Sequence, residues 1–155
     1  MGFDAPSLKG RALRYLSQRE HSRAELERKL ARFAEEQPEA SAADQIAQAL
    51  DDLAARGFQS EGRVAASVLH SQGARYGQRR LRQTLMAKGL APELVSSTLQ
   101  AAKTTELARA REVWRKKFGT PAVDAAGRAK QARFLVARGF DADVVRRVVA
   151  GLDDE

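Results

Sequence analysis

A run of ten residues recurs at a distance of fifty, and this recurrence limits the folds open to the chain more than any other feature. Met86-Ala87-Lys88-Gly89-Leu90-Ala91-Pro92-Glu93-Leu94-Val95 aligns with Val136-Ala137-Arg138-Gly139-Phe140-Asp141-Ala142-Asp143-Val144-Val145. Both read as the end of a helix, a glycine, an apolar residue and the acid-primed start of another helix. A turn repeated at such a distance marks tandem modules. Arg56-Gly57-Phe58 has a similar form but lies only 32 residues before Lys88-Gly89-Leu90. It reads as a boundary between modules rather than a further copy of the turn.

Around these turns the apolar residues fall at helical spacing. Leu8, Ala12, Tyr15 and Leu16 form a stripe on a first helix. Ser22-Arg23-Ala24-Glu25 reads as a capping box opening a second, with Leu26, Leu30 and Phe33 inward. Ser41 to Asp44 opens a third, with Ile46, Leu50 and Leu53 inward and Phe58 expected to fold back onto its last turn. Val64, Val68 and Leu69 face inward on a fourth. Gly73 and Gly77 bracket a turn that carries Arg75 and Tyr76. The fifth helix, Gln78 to Lys88, puts Leu81 and Leu85 inward. Pro92 suits the first turn of the sixth, whose apolar face is Leu94, Val95 and Leu99.

Thr104 or Thr105 caps a seventh helix with Leu107, Ala110, Trp114 and Phe118 on one side. An eighth runs from about Ala125 to Arg138 with Leu135 and Val136 inward. Asp141 caps a ninth, with Val144, Val145, Val148 and Val149 as its apolar residues. The expectation is an all-α protein of three tandem three-helix repeats, at residues 1–58, 59–102 and 103–155. A short helical triplet buries its stripes poorly alone, so the repeats are expected to stack into an elongated curved array. A single globular helical bundle is the alternative.

Charge is distributed unevenly among these segments. Residues 1–59 hold nine Lys/Arg and ten Asp/Glu, residues 60–118 hold twelve and four, and residues 119–155 hold six and six. The whole excess of +7 thus belongs to the central third. That pattern favours an acidic partner, either nucleic acid or an acidic protein surface, over a face that merely keeps the chain in solution. The candidate contact cations among them are Arg75, Arg79, Arg80, Arg82 and Lys88, followed by Arg115, Lys116 and Lys117 at the end of the seventh helix. Arginine forks suit carboxylates and phosphates alike, so the cluster by itself leaves both partners open. Tyr76 and Trp114 could stack on bases. For Trp114 the spacing from Leu107 favours the core. A helix-turn-helix reading of the fifth and sixth helices is weakened because Pro92 to Gln100 has no Arg, Lys or Asn to read base edges.

Chemistry is hard to find. The chain has no cysteine, which excludes disulfides, thiolate metal sites and thiol nucleophiles and fits a reducing cytoplasm. His21 and His70 stand far apart, and no carboxylate motif accompanies either. Asp51 and Asp52 are adjacent on a helix and diverge by about 100°. There is no phosphate-binding glycine loop and no paired nucleophile and base. The expectation is a non-enzyme without metal or cofactor. No apolar run approaches the roughly 18 residues of a membrane span. The first sixteen residues lack the apolar centre of a signal peptide, so a soluble, cytoplasmic protein is expected.

Several of these segments together resemble the RecX family. Ala12-Leu13-Arg14-Tyr15-Leu16 with Ser22, Glu25-Leu26 and Leu30 is similar to the family's first module. Leu50-Asp51-Asp52-Leu53 with Gly57-Phe58 is similar to its boundary motif. Gly77, Leu81, Leu85 and Lys88-Gly89-Leu90 resemble its most recognisable stretch, and Phe134-Leu135 with Arg138-Gly139-Phe140 its last module. Gln59-Ser60 departs from the acidic residues usual after the aromatic. The resemblance implies a regulator of the RecA recombinase that binds in the groove of the RecA–DNA filament. Loss of strand exchange, ATPase and coprotease activity would follow. A monomer without membrane contact, meeting DNA through the filament, is expected. Its contact residues would be Arg75, Tyr76, Arg79, Arg80, Arg82, Lys88, Arg115, Lys116 and Lys117. A helical DNA-binding protein independent of RecA and a solenoid adaptor for other proteins are the competing readings.

Overall fold

A computed structural model describes residues 5–151, and within them every regular element is helical. In chain order these are α1 (Leu8–Gln18), α2 (Arg23–Leu30), α3 (Ala42–Ala55), α4 (Glu61–Gln72), α5 (Gln78–Ala87), α6 (Pro92–Lys103), α7 (Glu106–Lys117), α8 (Ala125–Ala137) and α9 (Ala142–Val149). The acidic tail Asp153-Asp154-Glu155, which the sequence leads one to expect frayed, lies outside the described residues. Two compact units divide the chain, residues 1–64 with 88–90, and residues 65–87 with 91–155.

In the first unit α1, α2 and α3 pack on one another. Ala12, Leu26, Leu30, Ile46, Leu50 and Leu53 form its core. Each leucine buried there contributes about 1.5–3 kcal/mol. Helix starts follow the sequence closely. The Ser22 hydroxyl accepts from the Glu25 N–H at 3.1 Å, and the Glu25 carboxylate accepts from the Ser22 N–H at 3.1 Å, completing the capping box. Ser41 caps α3 by accepting from the Asp44 N–H at 3.0 Å.

In the second unit α5 packs on α6, and α7, α8 and α9 pack on one another. Ala110, Val113, Leu135, Phe140, Val145, Val148 and Val149 fill the core beneath that trio. Trp114 packs on its margin and donates its indole N–H to Gln131 at 2.9 Å. The buried Gln131 in turn donates to the Thr120 carbonyl at 3.1 Å, tying the loop after α7 to α8.

Some side chains expected inside lie outside. α2 ends at Leu30, before Phe33, so Phe33 leaves the apolar stripe and is exposed under the Arg11 guanidinium, 3.7 Å from its ring centre. Phe58 is exposed. Its N–H closes α3 by donating to the Leu53 carbonyl at 2.9 Å, and Gln59 takes the buried place. Val136 is exposed, because it lies about 100° round α8 from Leu135, which holds the inward position. Neither Thr105 nor Asp141 makes a side-chain cap bond at the start of α7 or α9.

The repeated glycine turns do the same work twice. In the first unit the N-terminus of α2 sits against the turn Lys88-Gly89-Leu90, and the Ser22 hydroxyl donates to the Lys88 carbonyl at 2.5 Å. Glu61, in the first turn of α4, accepts from the first amide of α2, Arg23 N–H, at 2.7 Å. In the second unit the N-terminus of α5 sits against Arg138-Gly139-Phe140. There the Gly77 N–H donates to the Arg138 carbonyl at 2.9 Å, and the Arg79 N–H to the Gly139 carbonyl at 3.0 Å. Glu106, in the first turn of α7, accepts from the first amide of α5, Gln78 N–H, at 3.4 Å, and from the Asp141 N–H at 3.2 Å. Both glycines have positive φ, +72° at Gly89 and +89° at Gly139.

Candidate interaction surface

The turn between α4 and α5 carries Arg75 and Tyr76 and is held from beneath. Arg109 of α7 donates to the Gly73 carbonyl at 2.9 Å, to the Tyr76 carbonyl at 2.7 Å and to the Ala102 carbonyl at 3.0 Å. Burial lowers the pKa of this guanidinium, which serves as a donor to backbone carbonyls of the turn and of the end of α6. Gly77 closes the turn. A Cβ there would stand 2.5 Å from the Phe140 Cα, so only glycine lets the two backbones meet.

On this frame three guanidiniums surround one ring. Arg80, Arg75 and Arg138 lie 4.6, 5.4 and 5.7 Å from the centre of Tyr76. Arg138 also lies 5.1 Å from the centre of Phe134, and Lys117 lies 5.5 Å from it. Cations and aromatic faces thus alternate from Arg75 to Lys117. Each such contact contributes about 0.5–1 kcal/mol at exposed sites.

Arg79 and Arg82 leave α5 on another side. With Lys103 of α6 they line a polar groove that also presents Gln78, Gln100 and Asp141. The Arg79–Asp141 pair, at 3.8 Å with both side chains largely exposed, is loose.

The remaining basic residues are otherwise engaged. Lys88 is half-buried and pairs with Glu25 at 3.2 Å, on the turn that receives α2. Arg115 forks onto Glu112 at 2.7 and 2.9 Å, and Lys116 approaches the same carboxylate at 3.8 Å. The nine basic and aromatic residues read from the sequence are therefore not one patch. Arg75, Tyr76, Arg80 and Lys117 lie on the cation–aromatic strip, and Arg79 and Arg82 share the groove. Lys88 pairs with Glu25, and Arg115 and Lys116 share the single carboxylate of Glu112. Arg138, Phe134, Lys103 and Arg109 belong to these surfaces and were not picked out from the sequence. Arg138 could have been, since it is Lys88 shifted by the repeat.

His21 behaves as a structural residue. It is buried, its Nδ1–H donates to the Arg19 carbonyl at 3.0 Å, and its Nε2 accepts from Lys29 at 2.8 Å. His70 is exposed. Among the described residues no group of acids and histidines is arranged to hold a metal ion. None of the helices there is long and apolar enough to cross a membrane.

Comparison with known proteins joins this architecture to a family. RecX, second three-helix domain, matches residues 60–99, and RecX, third three-helix domain, matches residues 104–149. The regulatory protein RecX of Leptothrix cholodnii is 53% identical over 149 residues, covering 96% of this chain and 91% of the relative. The chain belongs to the RecX family. It is thus a member of a family of regulatory proteins rather than of enzymes. The RecX proteins of Ralstonia nicotianae and of Neisseria meningitidis serogroup C are 46% and 39% identical, covering 95% and 96% of this chain and 89% and 93% of their own. The crystal structure of RecX from Lactobacillus salivarius superposes with a TM-score of 0.75 at 18% identity over 94% of each chain, a likeness of fold.

Proposed function

We propose that the chain is a negative regulator of the RecA recombinase, acting in the cytoplasm. It binds as a monomer in the groove of the RecA–DNA filament and inhibits strand exchange, ATP hydrolysis and coprotease activity. Three modules, 1–58, 59–102 and 103–155, carry the contacts, and the positive excess spans the central module and the start of the third. Membership of a regulatory family supports this reading. The observation that carries it is the +8 central segment, whose arginines on α5 stand exposed beside the groove and the strip, with only the loose Arg79–Asp141 pair among them. Such a surface is suited to an acidic, extended target and speeds its capture.

Charge reversal of the groove tests it. The double variant Arg79→Glu with Arg82→Glu is expected to need about tenfold more protein to inhibit RecA ATP hydrolysis on single-stranded DNA. Its far-UV circular dichroism should match the parent, because both side chains are exposed. Undiminished inhibition by a folded double variant would remove these arginines from the contact.

A further inference from the structure

The two glycine-turn joints can be aligned residue by residue. Ser22 and Gly77 are the N-caps, at a spacing of 55. Leu26 and Leu81, then Leu30 and Leu85, follow at the same spacing and are all fully buried. Glu61 and Glu106 perform the same amide-capping task, and Gly89 and Gly139 the same turn.

The alignment then pairs residues of opposite charge. Glu20 corresponds to Arg75, His21 to Tyr76 and Glu25 to Arg80, while Lys88 corresponds to the equally cationic Arg138. At the first joint every charge is answered. Glu20 pairs with Arg63 at 3.0 Å, and Glu25 with Arg19 at 2.6 Å and Lys88 at 3.2 Å. At the second joint both carboxylates have become arginines and the opposing cation remains. Among the described residues no acid pairs with Arg75, Arg80 or Arg138, and all three lie within 5.7 Å of the Tyr76 ring centre. Three like charges gathered on one ring repel one another unless an anion is bound.

We infer that Arg75, Arg80 and Arg138 form a receptor for carboxylates of an acidic protein segment, which occupies the place that Glu25 and Glu20 fill at the first joint. The first joint shows which anion this framework accepts, a carboxylate beside the start of a helix and opposite the cation that precedes the glycine. Nucleic acid fits less well, because the Tyr76 ring on which a base would stack is already engaged by three guanidiniums. The inference rests on the proposed function only in taking the acidic segment to belong to the filament's protein.

The test uses the full chain and a short peptide of alternating Glu and Asp as probe, titrated calorimetrically at about 20 mM salt, where screening is weak. Arg80→Glu should weaken peptide binding at least tenfold. It should also raise Tm by about 2–4 °C, because the new carboxylate meets Arg138 and Arg75 and rebuilds the first joint's pairing in cis. Arg75→Glu, on an exposed turn, should do the same to a smaller degree and serves if the first variant does not fold. Equal peptide affinity in parent and variants, a lowered Tm in both, or displacement of the peptide by oligothymidylate at lower concentration than by free peptide would overturn the inference. RecA ATPase assayed in parallel separates the two readings. A parent chain that takes the peptide but leaves RecA untouched retires the RecA reading alone. One that inhibits RecA and ignores the peptide retires the receptor alone.

Discussion

Glu25→Gln is expected to lower the stability of the fold by about 2 kcal/mol at neutral pH, because it removes charge-assisted hydrogen bonds to Arg19 and Lys88 at a largely buried carboxylate. Burial works against the charge at Glu25, yet the Arg19 guanidinium, the Ser22 N–H and the Lys88 ammonium hold its pKa down from 4.5 to about 2. Glutamine keeps the size but leaves the half-buried Lys88 without its counter-charge. The sign of the pH dependence follows from the depressed value. The contribution is complete above pH 4.5 and is lost as pH falls toward about 2. His21 acts in a higher window. Burial lowers its pKa from 6.5, so the unfolded chain binds the proton first and stability falls as pH drops below 6.5. Urea denaturation from pH 8 to pH 3 should show both losses in the parent chain and a diminished lower one in Glu25→Gln, where Asp52 and Glu112, whose carboxyl pKa values are also held down, still contribute. A variant within about 0.5 kcal/mol of the parent at pH 7 would mean that the network is not what holds this joint.

Gly139→Ala should be still more damaging, at more than about 3 kcal/mol, while Gly57→Ala costs about 1 kcal/mol. Both glycines have positive φ, +89° and +78°, so both substitutions meet the same backbone penalty. Their surroundings differ. A Cβ on Gly139 would lie 2.6 Å from the Arg80 nitrogen and 2.7 Å from its Cβ, whereas nothing stands within 4 Å of one on Gly57. Backbone cannot step aside as a flexible side chain can, so α5 must lift from its seat on the α8–α9 turn. Thermal melts of the two variants measure the difference. Equal losses would show that conformational strain, and not the close approach at the joint, is what requires glycine at position 139.

The fold was legible in the sequence where a signal was local. Ser22 and Glu25 announced a capping box, Gly57, Gly89 and Gly139 announced helix ends, and apolar residues at helical spacing marked inward faces. Reading failed where tertiary partners decide. Asp141 looks like a cap but pairs with Arg79, and its N–H goes to Glu106 from another helix. Phe33 continues the spacing of Leu26 and Leu30 in sequence, but its helix stops short of it. The candidate surface was visible as charge and not as geometry. Counting arginines located the central segment, yet it could not tell that Lys88 faces Glu25 while its counterpart Arg138 faces Tyr76. That distinction depends on the 55-residue correspondence of the α2 and α5 starts. In sequence this correspondence is carried by little more than Leu26 with Leu81 and Leu30 with Leu85.

The central claim is that the uncompensated cations of the second unit serve a protein filament. Anisotropy of the labelled chain, titrated with RecA assembled on single-stranded DNA and with the same DNA bare, tests it most directly across a range of salt. Binding to the filament should be at least tenfold tighter, persisting at salt near physiological strength where exposed charges are screened beyond about 8 Å. Binding to bare DNA that equals filament binding and falls steeply with salt would contradict it, and would make the chain a nucleic-acid-binding protein in its own right.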